Sequence, residues 1–171
     1  MPYIYITGGA SSGKSCFALD YFKNMLDVTF IATGVAADPE MEMRISIHKK
    51  QRPDDWHTIE EPVDLIKAVK STKKGYSGII IDCITFWVSN LIHYKKLNRD
   101  KILEYAQKAA QYLTTADKAI LVVTNELGMG VIPHTEEGRY YRIIAGEVNQ
   151  IFAKKSKEAY LIVSGIPIKI K

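Results

Sequence analysis

The chain contains 171 residues, 47% of them hydrophobic and 25% charged, a composition that excludes a wholly disordered, collagen-like or coiled-coil protein. Its length predicts one domain that covers residues 1–171. A formal net charge of +4, without a dense basic tract, disfavours a nucleic-acid partner and suits small phosphate-bearing ligands.

Short β-branched and aromatic runs alternate with helical patterns, beginning with a strand at residues 3–7 and a helix from about Lys14 to Leu26. Four further strands are predicted at residues 28–32, 78–82, 119–124 and 160–163, and nearly all of their residues are apolar. Such runs are typical of strands buried on both faces of a parallel sheet. The tail, residues 166–171, alternates apolar with basic residues, which predicts an edge strand.

Helices are predicted between these strands, from about residue 39, from about 62, after 84, at 101–114 and at 136–154. Thr135 is the expected N-cap of the last helix, whose apolar residues form one stripe. Strands and helices that alternate without a repeat or linker predict a single α/β domain, with a mostly parallel sheet and helices on both faces.

A glycine-rich turn links the first strand to the first helix and matches the P-loop spacing G-x-x-x-x-G-K-[ST]. In a P-loop the backbone N–H groups surround phosphate oxygens, a lysine neutralises the β- and γ-phosphates, and a hydroxyl binds Mg²⁺. The pattern therefore predicts a P-loop NTPase fold of the RecA-like type, whereas the alternative is a plain turn with an incidental lysine. The residues of the motif are Gly8, Gly9, Ala10, Ser11, Ser12, Gly13, Lys14 and Ser15.

A P-loop also needs a carboxylate that organises the metal, usually at the end of a neighbouring strand. Asp82 ends the predicted strand at 78–82, so Ser15 and Asp82 are the candidate Mg²⁺ ligands. The alternative role of Asp82 is to cap the following helix, and both roles are compatible with its position.

A polar segment after the second strand predicts a helix with Asp38 as N-cap and Pro39 as its first residue. Pro53 prevents the helix from extending much beyond Gln51.

On this helix Arg44 and His48 lie one turn apart and Arg52 lies one turn further, so an imidazole could share a face with two guanidinium groups. Such a face could bind a phosphate and present a nucleophile to an α-phosphorus. The spacing alone favours a solvated histidine, and it does not distinguish His48 from the chain's other three histidines, His57, His93 and His134.

The segment at residues 125–130 follows the predicted strand at 119–124 and contains two glycines before Pro133, which predicts a loop at the same edge of the sheet. Glu126 in this loop is a candidate base or metal-shell group, and a plain turn is equally compatible with the spacing.

Several further short segments accompany these motifs, at residues 31–33, 44–45, 48–49, 52–53, 56–60, 82–85, 124–130, 145–150 and 163–165. In this order they resemble, essentially from end to end, the bifunctional adenosylcobinamide kinase/adenosylcobinamide-phosphate guanylyltransferase family of cobalamin biosynthesis.

The resemblance implies two reactions and their substrates. Members of the family phosphorylate the aminopropanol hydroxyl of adenosylcobinamide with ATP or GTP, and then transfer GMP from GTP to adenosylcobinamide-phosphate. The products are adenosylcobinamide-GDP and pyrophosphate, and the transfer passes through a GMP-histidine intermediate. The resemblance also implies a homotrimer.

By motif, the resemblance assigns the guanylylated histidine to His48 and the GTP phosphates to residues 8–15. The remaining nucleotide contacts that it implies are Thr33, Gly34, Val35, Lys49, Lys50, Gln51, Arg52, Glu60 and Asp82. Arg44 is added by helix spacing alone.

Aromatic side chains could form a platform for the corrin ring, but the helical spacing of Phe86, Trp87 and Tyr94 favours packing on the sheet. Tyr140 and Tyr141 are equally ambiguous.

Two other functions are compatible with the P-loop. A simple kinase of a small metabolite would leave His48 without a chemical role. The second is a nucleotide-gated switch or a RecA-like nucleic-acid motor, and the small net charge and the absence of a basic aromatic tract count against the motor.

The two cysteines, Cys16 and Cys83, are too few for the framework of a small secreted domain, and both lie in apolar segments where a reduced thiol packs well. The N-terminus lacks the pattern of a signal peptide, and no apolar run reaches the roughly 18 residues that a membrane span needs. We therefore expect a cytoplasmic protein without a membrane span.

Overall fold

The structure is a computed structural model that describes residues 3–36, 38–50, 52–73 and 75–171. Gln51, one of the predicted nucleotide contacts, lies outside the described residues, and so does the side chain of Arg44.

Seven strands and six helices occur in this described part of the chain. The strands are β1 (Ile4–Gly8), β2 (Val28–Ala32), β3 (His57–Glu60), β4 (Gly78–Asp82), β5 (Ala119–Val123), β6 (Glu158–Val163) and β7 (Ile166–Lys169). The helices are α1 (Lys14–Phe22), α2 (Pro39–Lys50), α3 (Leu65–Ser71), α4 (Ile84–His93), α5 (Arg99–Thr114) and α6 (Glu136–Lys155).

All seven strands form one sheet in the order β3-β2-β4-β5-β1-β6-β7. Every pairing is parallel except that between β6 and the edge strand β7, which confirms the predicted mostly parallel sheet and the predicted edge strand in the tail. β5 lies between β1, which leads into the glycine-rich turn, and β4, which ends at Asp82. The carboxyl ends of these three strands therefore meet at one edge of the sheet, where ligands of open α/β sheets bind.

Both faces of the sheet are covered by helices, as predicted. In β4, Ile79 and Ile81 belong to one core cluster and Ile80 to another, because alternate side chains of a strand point to opposite faces. α1 packs on the Ile80 side through Ala18 and Phe22, whereas α3, α4, α5 and α6 pack on the other side. Burial on both sides explains why β4 is apolar at successive positions.

Some predicted boundaries differ from the structure. β3 was not predicted, because it has only four residues, is partly exposed beside β2 and lacks an apolar run. α1 ends at Phe22 rather than near Leu26, and α3 begins at Leu65 rather than near Pro62. The late start of α3 follows from its cap, since the carboxylate of Asp64 accepts a hydrogen bond from the backbone N–H of Lys67.

Other local predictions can be compared directly. Thr135 is the N-cap of α6, as predicted, and its hydroxyl accepts a hydrogen bond from the Gly138 N–H at 3.1 Å. The expectation of a packed thiol is right for Cys83, which is buried, but wrong for Cys16, which is exposed. The buried face of α1 carries Lys14, Ala18 and Phe22, one residue per turn, and Cys16 lies off that face.

Within the described ranges, no helix has both the length and the apolar character needed to cross a membrane.

Candidate active site

The phosphate loop, defined here as residues 8–15, joins β1 to α1 and depends on two glycines. Gly13, the N-cap of α1, has a φ of 98°, in the left-handed region where other residues are strained. At Gly8, a Cβ would lie 2.5 Å from the backbone oxygen of Ile162, which no side chain can accommodate. The loop therefore turns closely against β6 and ends at the N-terminus of α1, an arrangement that binds anions.

Lys14 is the buried cation of the phosphate loop, with only 7% of its surface exposed. Its Nζ donates to the Gly9 backbone oxygen at 2.5 Å and to the Ser12 Oγ at 3.4 Å. Burial lowers the pKa of Lys14, and the nearby carboxylate of Asp82 opposes that fall. The loop thus holds its lysine against its own backbone, beside the carboxylate at the end of β4.

Ser15 and Asp82 are the candidate Mg²⁺ ligands, and both offer side-chain oxygen atoms. The Ser15 Oγ donates to the Asp82 Oδ2 at 3.0 Å, across from α1 to the end of β4. Burial raises the pKa of Asp82, while the Ser15 hydrogen bond and the charges of His48, Lys14 and Arg52 oppose the rise. The N-cap of α4 is Cys83, so the alternative role of Asp82 as a helix cap finds no support.

α2 forms the opposite wall and carries His48 in its last turn. Asp38 caps the helix as predicted, because its Oδ1 accepts a hydrogen bond from the Met41 N–H at 2.8 Å. His48 is exposed and faces the same cavity as the phosphate loop, close enough for its charge to influence Asp82. At the C-terminus of α2, Lys49 forms an ion pair with Glu60 of β3 at 2.5 Å.

Arg52 lies just beyond α2 and is held by neighbouring side chains. Its guanidinium carbon lies 3.7 Å from the centre of the Phe30 ring, and its NH1 donates to the Thr58 Oγ1 at 3.1 Å. The Nε is buried and has no hydrogen-bond partner among the described residues. Burial lowers the pKa of Arg52, and Asp82 and Glu60 oppose the effect. Arg52 also lines the cavity, so its guanidinium group lies beside any anionic ligand that binds there.

Three predicted nucleotide contacts follow β2, and they have different surroundings: one is buried and two face the cavity. Thr33 is fully buried, and its hydroxyl donates to the Cys83 backbone oxygen and accepts from the Cys83 N–H. Gly34 and Val35 face the cavity. Thr33 therefore fixes the end of β2 against the residue that follows Asp82.

One cavity of about 1250 Å³ joins the two walls. Predicted site residues that line it are Ala10, Ser11, Ser12, Gly13, Lys14, Ser15, Gly34, Val35, His48, Lys49, Lys50, Arg52, Glu60 and Asp82. Gly8, Gly9 and Thr33 do not line it, and Gly8 and Thr33 instead shape the backbone around it. Their roles as ligand contacts, like those of the lining residues, stay predictions.

The cavity also contains residues to which the sequence analysis assigned no role, among them Phe30, Ile45 and Asn125. Phe30 and Ile45 lie in ordinary apolar patterns, which carry no functional signal. Asn125 directly follows the predicted strand 119–124 at the ligand-binding edge, and this position could have identified it.

The aromatic residues behave differently from one another. Trp87 packs in the core as expected and donates its Nε1–H to the Val63 oxygen at 2.6 Å. The expectation of packing is wrong for Tyr94, which is 57% exposed, and Phe86 is partly buried and faces the cavity. Tyr141 donates to the Thr85 oxygen at 2.9 Å.

Glu126 closes its own loop, because its Oε1 accepts a hydrogen bond from the Gly128 N–H at 2.8 Å. It does not line the cavity, so this geometry matches the turn interpretation rather than a base or metal-shell group.

Comparison with known proteins adds a second line of observation. Residues 4–170 match the family described as cobinamide kinase / cobinamide phosphate guanyltransferase. The chain is 36% identical to the bifunctional adenosylcobalamin biosynthesis protein CobU of Escherichia coli, over 98% of this chain and 99% of that protein.

Two further relatives show similar agreement. The CobU protein of Salmonella typhimurium is also 36% identical, with 98% of this chain and 99% of that protein covered. The bifunctional adenosylcobalamin biosynthesis protein CobP of Pseudomonas aeruginosa is 35% identical, with 97% of this chain and 95% of that protein covered. The similarity therefore includes both walls of the cavity.

Proposed function

The chain belongs to the cobinamide kinase / cobinamide phosphate guanyltransferase family, and from this we propose that it catalyses two successive transfers at one nucleotide site. In the first, ATP or GTP phosphorylates the aminopropanol hydroxyl of adenosylcobinamide. In the second, GTP transfers GMP to adenosylcobinamide-phosphate, giving adenosylcobinamide-GDP and pyrophosphate. We place both reactions in the cytoplasm, where these nucleotides are available.

The observation that carries the proposal is the shared cavity of about 1250 Å³, which contains both the phosphate loop and His48. A nucleoside triphosphate held by its β- and γ-phosphates at the phosphate loop extends its α-phosphate and nucleoside away from that loop. α2 lines the same cavity, so His48 lies in the cavity that would hold the rest of the nucleotide.

Guanylyl transfer then proceeds in two displacements. An imidazole nitrogen of His48 attacks the α-phosphorus of GTP, the bond from that phosphorus to the bridging oxygen breaks, and pyrophosphate leaves with the electron pair. A phosphate oxygen of adenosylcobinamide-phosphate next attacks the same phosphorus, and the N–P bond breaks to restore the imidazole. The covalent intermediate replaces one difficult transfer with two easier ones.

Charge on the leaving pyrophosphate is stabilised by the phosphate loop. Lys14 supplies a buried cation at the loop, and the backbone N–H groups at the start of α1 supply oriented dipoles. Arg52, fixed by Phe30 and Thr58, lines the same cavity and supplies a positive charge for the α-phosphate.

The Ser15 hydroxyl and the Asp82 carboxylate suit Mg²⁺, which prefers oxygen ligands and commonly binds one carboxylate together with substrate phosphates and water. When bound there, Mg²⁺ would neutralise charge on the β- and γ-phosphates. Burial raises the pKa of Asp82, and a bound divalent cation would favour its charged form.

We also propose that the chain acts as a homotrimer, as its resemblance to the family implies. Exposed apolar side chains on the loop after β5 and on α6 offer surface that a second copy would cover: Met129, Val131, Ile132 and Ile143. Sedimentation equilibrium is expected to give three times the mass of one chain, and a monomer would contradict this part of the proposal.

The test of the GMP-histidine step uses GTP labelled at the α-phosphate, with Mg²⁺ and without corrinoid, followed by denaturation. We expect label on the protein in an acid-labile, alkali-stable bond, and none from GTP labelled at the γ-phosphate. His48→Ala should abolish the label. His57→Ala is the matched control, because His57 is exposed on β3 and does not line the cavity.

Two outcomes would overturn the mechanism. Label that persists in His48→Ala would place the nucleophile elsewhere. No label at all, together with phosphorylation of adenosylcobinamide from the γ-phosphate, would leave a simple P-loop kinase.

A further inference from the structure

Asn125 lies between the phosphate loop, which follows β1, and Asp82, which ends β4. It follows β5, and β5 pairs with β1 on one side and with β4 on the other. The backbone on each side of Asn125 is fixed to the phosphate-loop strand, because the Thr124 N–H donates to Ile6 and the Glu126 N–H donates to Gly8, both at 2.9 Å. Its side chain faces the cavity.

Buried polar groups fix the backbone at Asn125. Its backbone oxygen accepts a hydrogen bond from the Asn149 Nδ2 at 3.0 Å, and the Asn149 Oδ1 accepts from the buried Thr124 hydroxyl at 2.8 Å. The Asn125 Nδ2 donates to the Thr85 Oγ1 at 3.4 Å. Asn149 of α6 is only 5% exposed, so a buried polar side chain fixes the backbone at this loop position.

The carboxamide oxygen of Asn125 accepts no hydrogen bond from the described residues. An oxygen acceptor repels phosphate oxygens but binds an O–H donor. The nucleotide offers acceptors at its phosphates, whereas the alcohol that is phosphorylated in the first reaction offers a hydroxyl.

We propose that Asn125 is a catalytic residue of the kinase reaction alone, accepting a hydrogen bond from the hydroxyl of the acceptor alcohol. This inference rests on the proposed function. The alcohol oxygen forms a bond to the γ-phosphorus, the bond between that phosphorus and the β–γ bridging oxygen breaks, and the nucleoside diphosphate leaves with the electron pair. The hydroxyl proton passes to water. Asn125 holds the hydroxyl in line with the γ-phosphorus, and orientation of this kind is a large part of phosphoryl-transfer catalysis.

The experiment compares Asn125→Ala and Asn125→Asp in two assays on the purified chain. The first follows phosphoryl transfer from γ-labelled GTP to adenosylcobinamide, and the second follows formation of the GMP-enzyme without corrinoid. Asn125→Ala is expected to lower kcat of the first by about 100-fold, with the KM for GTP within about threefold of the parent value. Formation of the GMP-enzyme, which involves no alcohol, should keep its rate within about threefold.

Asn125→Asp retains an oxygen acceptor, so its kinase activity should lie between those of the parent and Asn125→Ala. Leu127→Ala is the matched control in the same loop, because Leu127 does not line the cavity, and it should retain both activities. Circular dichroism and thermal melting establish that each variant is folded.

Three results would overturn the inference while leaving the proposed function intact. In the first, Asn125→Ala keeps full kinase activity. In the second, it loses both activities equally, which would indicate a general role in binding the nucleotide. In the third, Asn125→Asp is less active than Asn125→Ala, which would place the amide nitrogen against a phosphate. Failure of the parent chain in both assays would instead refute the proposed function.

Discussion

The two walls of the cavity are built in opposite ways. The phosphate loop is fixed to the sheet from both sides, since the Ser12 oxygen accepts from the Gly165 N–H at 2.8 Å and the Gly8 oxygen accepts from the Glu126 N–H. α1, which continues the loop, inserts Phe22 completely into the core. In contrast, α2 has no buried residue among its described side chains.

α2 is therefore held by local interactions rather than by an apolar stripe. Its N-terminus depends on the Asp38 cap, and its C-terminus on the ion pair between Lys49 and Glu60. Elements with few buried apolar contacts open at low free-energy cost. The difference indicates a rigid phosphate loop and a lightly packed helix. Under the proposed function, the loop is a cradle for the triphosphate in both reactions, and the helix presents the nucleophile in only one of them.

The largest expected effect is that of Lys14→Met. It removes the buried cation of the cradle, so both phosphoryl and guanylyl transfer should fall by about 1,000-fold. Steady-state assays of the two reactions measure this loss. Lys23→Met, at the exposed end of the same helix, is the control and should retain both activities. If Lys14→Met impaired only one reaction, the two reactions would not share the cradle.

The two walls should also differ in stability. Truncation of a side chain on α1 should destabilise the protein more than truncation of one on α2. Phe22→Ala removes a fully buried ring at the C-terminal end of α1, where it packs against Gly78 of β4, and we expect the free energy of unfolding to fall by about 3–5 kcal/mol. Ile47→Ala on α2 truncates a side chain that is 48% exposed, and its cost should stay below about 0.5 kcal/mol. Urea unfolding followed by circular dichroism measures both values. Equal losses would show that α2 is as firmly packed as α1.

The phosphate loop and β4 are predicted well from the sequence. Each of them requires particular residue types that can be recognised within one short segment. The run Gly78–Asp82 is apolar on both faces and ends in a carboxylate, and the structure has β4 with the same bounds. In the phosphate loop, Gly8 is required by the close approach of the Ile162 backbone, and Gly13 is required by a positive φ that other residues adopt only with strain.

The rest of the site depends on contacts between distant segments, which leave little signal in one sequence. Thr33 belongs to a nucleotide-binding segment by resemblance, yet its hydroxyl bonds to Cys83, fifty residues away. Asn125 lies in a loop with two glycines, and the carboxylate beside it, Glu126, drew the functional hypothesis instead. β3 is too short and polar to be distinguished from a loop without its partner β2.

A smaller effect is expected from Arg52→Lys. Lysine keeps the charge but loses the planar contact with Phe30 and the hydrogen bond to Thr58, so its head group is less well positioned. Formation of the GMP-enzyme should slow by about 10-fold to 100-fold, whereas the kinase reaction should change less than about threefold. Arg99→Lys, on exposed α5 away from the cavity, is the control. A uniform loss of both reactions would assign Arg52 to the cradle rather than to the α2 side of the cavity.

The smallest expected effect tests the local stability of α2. Asp38→Ala removes the acceptor of the Met41 N–H, which typically costs about 1 kcal/mol of helix stability. Because α2 lacks core packing that would compensate, the loss should appear as fraying and slow GMP-enzyme formation by about threefold, while the kinase reaction is unchanged. Asparagine is as good an N-cap as aspartate, so Asp38→Asn should restore the rate. A slow Asp38→Asn variant would instead show that the negative charge of Asp38, and not its capping hydrogen bond, influences His48.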